Sequence, residues 1–236
     1  MTKRIPITVS VITTVIILAC AYPAAGLPSI VGQTPTNTSI PTRTLVPTVT
    51  PTISNILWSE DFSAESNELE TSSSALGSAQ TKDGAYIVRS TSDLWKWGRS
   101  KSEFGDTVIE FDVTITIAPA NNNAGVGVIC RMRTHDDNSI DGYLLAISSD
   151  GFYSIRSITS STMNPLVDWT YSDTVNQGNE KNIVRATCNG SELKLEVNGE
   201  TLATASADAG GPQSGGFAFA AVSFETAEPV TEVHFD

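Results

Sequence analysis

The chain has 236 residues, 40% of them hydrophobic, and a formal net charge of −12. All 26 Asp and Glu lie at or after Glu60, against 11 of the 14 Lys and Arg, so this part carries −15. A domain this acidic lacks the basic footprint that a phosphate backbone needs, which excludes nucleic acid as a partner. It leaves a soluble, self-repelling surface, or one that attracts cations, calcium included.

Met1 to Ala19 has the form of a signal peptide: Lys3 and Arg4 precede an apolar run from Ile7 to Ala19 that is short for a membrane span. Its end, Ile17-Leu18-Ala19-Cys20, resembles the lipobox of bacterial lipoproteins, in which the Cys is lipidated. Leu18 stands where that motif usually has a small residue, and cleavage after Ala21 also satisfies the small-x-small rule. Residues 21–55 follow as a Thr/Pro-rich linker. Proline removes donors and fixes φ, so neither helix nor central strand persists there. Extended as polyproline II at about 3.1 Å per residue, Leu27 to Asn55 would reach roughly 90 Å.

From Ile56 to Asp236 the pattern is one of short strands. Ile56-Leu57-Trp58 and Glu60-Asp61-Phe62 open it, and Gly84 to Arg89 and Leu94 to Arg99 follow. Thr107 to Ile117 alternates, with Val108, Glu110 and Asp112 on one parity and Phe111, Val113 and Ile115 on the other. Ala124 to Ile158 reads as an antiparallel meander. Its first strand, Gly125 to Arg133, sets Val126, Val128 and Cys130 on one face and Ile129 and Arg131 on the other. Tyr143 to Ser148 comes next, then Asp150-Gly151, a hairpin signal because a primed turn needs positive φ, and then Phe152 to Ile158. Leu166 to Tyr171 and Asn182 to Cys188 are further strands. Asn189-Gly190 and Asn198-Gly199 bracket Leu193 to Val197, and Thr201 to Ala205, Gly215 to Phe224 and Val230 to Phe235 close the chain. No helical period lasts three turns, so about a dozen strands imply an all-β sandwich or barrel.

The order of these pieces resembles the concanavalin A-like lectin/glucanase jelly roll, in its laminin-G-like and 3-keto-disaccharide-hydrolase-like branches. The residues that match are Trp58 to Phe62, Asp83 to Val88, Val108 to Val113, Gly125 to Arg131, Tyr143 to Ile147, Asp150 to Tyr153, Arg185 to Cys188 and Leu193 to Gly199. The resemblance implies a β-sandwich of two antiparallel sheets over residues 56–236, with a carbohydrate or other extracellular ligand on a concave sheet. One fold hosts many functions, so it implies activity far less than architecture.

Glucanases of this fold carry Glu-x-Asp-x-x-Glu on one strand. Glu110 and Asp112 match, but Ile115 stands in the third acidic place, so the pair retaining hydrolysis needs is incomplete. A solvent-facing strand side explains Glu110 and Asp112 equally well. The expectation is therefore a non-catalytic module, with a glycosidase-like enzyme or a structural, adhesive envelope protein as alternatives. Trp95, Trp97 and Trp169, with Tyr143, Tyr153 and Tyr171, are candidates to stack on a sugar, although aromatics of a sandwich are also core formers. Arg99, Arg131 and Arg133 are candidate polar partners. His135, Asp136, Asp137, Asn138 and Asp141 make an oxygen-rich loop that serves as a turn or, alternatively, for calcium. His135 and His234 have no zinc spacing. An exported chain permits a Cys130–Cys188 disulfide, closing about 60 residues and contributing about 4 kcal/mol; two buried thiols are the alternative.

Overall fold

A computed structural model describes residues 56–236; the expected signal peptide, Cys20 and the expected Thr/Pro linker lie outside the described residues. Among the described residues fourteen strands form two antiparallel sheets. They are β1 (Ser72–Ser74), β2 (Gly77–Lys82), β3 (Ala85–Ser90), β4 (Lys96–Arg99), β5 (Thr107–Ile117), β6 (Ala124–Thr134) and β7 (Ile140–Ser148). After them come β8 (Phe152–Thr159), β9 (Thr162–Tyr171), β10 (Asn182–Asn189), β11 (Glu192–Val197), β12 (Glu200–Ser206), β13 (Gly216–Ser223) and β14 (Thr231–Phe235). The eight-stranded sheet runs β1-β2-β3-β14-β5-β10-β11-β12 and the six-stranded sheet β4-β13-β6-β7-β8-β9. The two sheets stack as an all-β jelly-roll sandwich.

The core follows from strand parity. Phe111, Val113 and Ile115 of β5 face Val126, Val128 and Cys130 of β6 and Phe217, Phe219 and Ala221 of β13, all buried. Aromatic rings knit the middle: Phe219 stacks on Phe235 at 4.4 Å and meets Phe111 edge-on at 5.1 Å. Cys130 and Cys188 are disulfide-bonded and fully buried, joining β6 of one sheet to β10 of the other.

The meander forms as its turns require. Gly151 has φ of 95°, Asn198 51° and Gly199 86°, the left-handed values that primed turns need. β6 departs from simple alternation. Its pairing with β7 shifts between Cys130 and Arg133, and Arg131 has φ of 52°. This bulge turns Arg131 away from the outer face expected for it and buries it.

Candidate functional site

The six-stranded sheet is apolar on both faces. Facing away from the core, Ile129, Met132, Ile140, Leu144, Ala146, Ile158, Ala218 and Ala220 form a second buried cluster, with Trp95, Trp97, Met163 and Trp169 packed against it. The cross-strand register sets Trp97, Ala220, Gly127, Ala146 and Ser154 side by side on five successive strands. The next row is Arg99, Ala218, Ile129, Leu144 and Arg156. The first row is therefore a low floor of small residues beside Trp97, and in the second Ile129 and Leu144 stand between Arg99 and Arg156. Gly127 admits nothing larger, since a Cβ there would lie 2.3 Å from the Leu145 carbonyl oxygen.

At one end Phe224 folds over this floor. A Cβ on Gly125 would come within 3.0 Å of its ring, so the glycine makes room for it. Phe224 meets Trp95 edge-on at 6.1 Å and Trp169 edge-on at 5.7 Å, giving a continuous aromatic row across the sheet. It is 37% exposed. The Arg156 guanidinium lies 5.6 Å from the Trp169 ring centroid and bonds Asp168 and Ser154. Beside the row a cleft of ≈ 290 Å³ is lined by Asn123, Ser148, Asp150, Phe152, Trp169 and Phe224. Asp150 sits in the β7–β8 turn. Its Oδ1 accepts the Ser148 hydroxyl, while its other oxygen has no hydrogen-bond partner among the described residues. The edge-on Phe152–Tyr171 pair, at 5.7 Å, extends the aromatic surface.

Of the residues singled out from the sequence, Trp95, Trp97, Arg99 and Trp169 come together on this face. Arg131 and Tyr143 do not. Arg131 points inward because of the bulge, donating to Asp106 at 2.8 Å and to the Gly190 carbonyl at 2.9 Å, and so anchors the β10–β11 turn. Tyr143 has inward parity and is 1% exposed, and burial pushes its phenol up. Tyr153 also packs on the core, and Arg133 is held by Ser214. Phe224, Phe152, Asp150, Asn123 and Ser148 carried no site signal in the sequence. Phe224 reads as the end of an apolar run, and Asp150 reads as turn chemistry.

Glu110 and Asp112 project from the outer side of the eight-stranded sheet. Glu110 pairs with Arg185 at 2.7 Å and Asp112 with Lys181 at 2.5 Å, so both belong to a cross-strand charge ladder. In the oxygen-rich loop, Asp137 accepts from Ser139, holding its carboxyl below the usual range, and Asp141 accepts from Ser160 and pairs with His135. Among the described residues no three carboxylate, histidine or cysteine side chains converge as a metal site.

Comparison with known proteins gives a likeness of fold. No family model matches the chain, and no curated protein does. Among solved structures, a β-1,3-1,4-glucanase (lichenase) from a mouse hindgut metagenome matches with a TM-score of 0.53 at 11% identity. That match covers 74% of this chain and 94% of the other. A galectin-like protein of unknown function from Bacillus subtilis matches with a TM-score of 0.51 at 11% identity, covering 71% and 86%. The carbohydrate-binding module CBM66 from Bacillus subtilis gives a TM-score of 0.49 at 15% identity, covering 63% and 83%.

Proposed function

We propose that this chain is a non-catalytic extracellular binding module that takes carbohydrate on the outer face of its six-stranded sheet. The observation that carries this reading is the aromatic row Trp95–Phe224–Trp169 beside a cleft with carboxylate, amide and hydroxyl groups. Aromatic faces pack on the C–H face of a pyranose, and a few fixed polar groups orient its hydroxyls. The fold shared with the lichenase supports a sugar ligand only as an analogy. Hydrolysis has no comparable support, because Glu110 and Asp112 lie on the other sheet, each with a basic partner. Calorimetric titration of the protein with a panel of soluble polysaccharides tests the reading. Binding weakened about tenfold in Trp169→Ala supports it; silence across the panel refutes it.

The same reading makes the module a tethered one. The leader, the lipobox-like end at Cys20 and the Thr/Pro stretch suit a lipid-anchored protein whose linker carries the domain away from the membrane toward the cell exterior. Metabolic labelling with a palmitate analogue should mark the wild type and not Cys20→Ser. An unlabelled wild type contradicts the anchor.

A further inference from the structure

The cleft is more specific than a general sugar platform. Three of its six lining residues are aromatic, one is acidic and none is basic. Phe152, Trp169 and Phe224 supply aromatic rings to its lining, and Asp150 supplies a carboxylate oxygen without a hydrogen-bond partner among the described residues. Asn123 and Ser148 are neutral, and the surrounding domain holds 26 acidic residues against 11 basic ones. Rings with a carboxylate at their rim are the chemistry that recognises an ammonium group, and the acidic domain adds a long-range attraction of the same sign. One ring already does this within the chain, because the Arg156 guanidinium lies over Trp169. That guanidinium is neutralised by Asp168, whereas Asp150 has no basic partner among the described residues. At ≈ 290 Å³ the cleft is at the small end of ligand sites, suited to one ring rather than an extended oligosaccharide.

Resting on the carbohydrate reading above, we infer that the cleft takes a sugar bearing a free ammonium group, a 2-amino-2-deoxyhexose unit of a partly or fully deacetylated glycan. The ammonium lies against the aromatic walls and pairs with the Asp150 carboxylate. The pyranose ring extends from there along the row toward Phe224 and Trp95. No covalent step is involved.

Calorimetry of the full chain with glucosamine oligomers and with N-acetylglucosamine oligomers of equal length tests this, at low and at high salt below the pKa of the amine. Wild type should bind the amino form about tenfold more tightly, and salt should erode that preference. Asp150→Asn keeps an acceptor for the Ser148 hydroxyl and removes the charge; it should abolish the preference while leaving the thermal midpoint unchanged. Equal affinity for the two oligomers, or a preference that survives Asp150→Asn, overturns the inference. If the two oligomers bind equally and Trp169→Ala weakens both while Asp150→Asn weakens neither, the carbohydrate reading stands and the ammonium inference falls. If no oligomer or polysaccharide binds at all, both fall.

Discussion

Tyr86 and Tyr143 are buried phenols with different mutational consequences. Tyr86 donates its hydroxyl to the Glu70 carbonyl, and burial pushes its pKa well above the ordinary range. Tyr143 is equally buried, but its hydroxyl makes no hydrogen bond of good geometry among the described residues. Tyr86→Phe should cost about 1 kcal/mol, because the Glu70 carbonyl loses its donor. Tyr143→Phe should be close to neutral, because no hydrogen bond is lost; chemical denaturation of the two variants compares them directly. The raised phenol pKa values also fix the sign of the alkaline response. Stability from a raised pKa is fully present below the unfolded value and is lost as pH climbs toward the folded one. Thermal midpoints should therefore hold below roughly pH 10 and fall above it, less steeply in Tyr86→Phe. Arg131 is the residue that sequence pattern misplaced most clearly. Period-two alternation sets it outward with Ile129, and only the bulge, invisible to a parity count, reverses it. With its side chain wholly buried, Arg131→Ala should lose about 2–4 kcal/mol in the same denaturation assay and loosen the β10–β11 turn.

At the scale of elements, turn chemistry made the meander and the β10–β11–β12 hairpins legible. Asp150-Gly151, Asn189-Gly190 and Asn198-Gly199 all lie at observed strand ends. β1 and β2 were missed because Ser-Ser-Ser and Gly-Ser-Ala-Gln-Thr-Lys carry no apolar alternation; pairing of β2 to β3, and of β1 to β2, makes them strands. The two-faced character of the six-stranded sheet was only half legible. Near-continuous apolar runs such as Gly216–Ser223 mark strands buried on both sides, yet the sequence does not say what covers the outer side. Trp95 just before β4, Trp97 on β4 and Trp169 on β9 cover it, from segments far apart in the chain. The low floor beneath them constrains substitution: Gly127→Ala forces a Cβ onto the Leu145 carbonyl and should cost about 1–3 kcal/mol, read as a lowered thermal midpoint. The sheets are also covalently joined. Loss of the Cys130–Cys188 bridge, which spans 58 residues of sequence, should cost about 4 kcal/mol on the chain-entropy model. Unfolding with and without reductant, beside the double Cys→Ala variant, measures it.

At the scale of the whole molecule, the two sheets have different outer surfaces. The eight-stranded sheet shows water a ladder of ion pairs that includes Arg185, Glu110, Lys181 and Asp112. The six-stranded sheet shows aromatic rings, small residues and a cleft. This asymmetry favours the six-stranded face over Glu110 and Asp112 as the proposed binding surface. The measurement that tests it most directly is a parallel titration of wild type, Trp169→Ala and Glu110→Gln with a binding polysaccharide, following protein fluorescence and product release together. The expected result is affinity lost in Trp169→Ala, kept in Glu110→Gln, and no hydrolysis by any of the three. Affinity that survives Trp169→Ala, or sugar cleavage that vanishes in Glu110→Gln, would contradict the account.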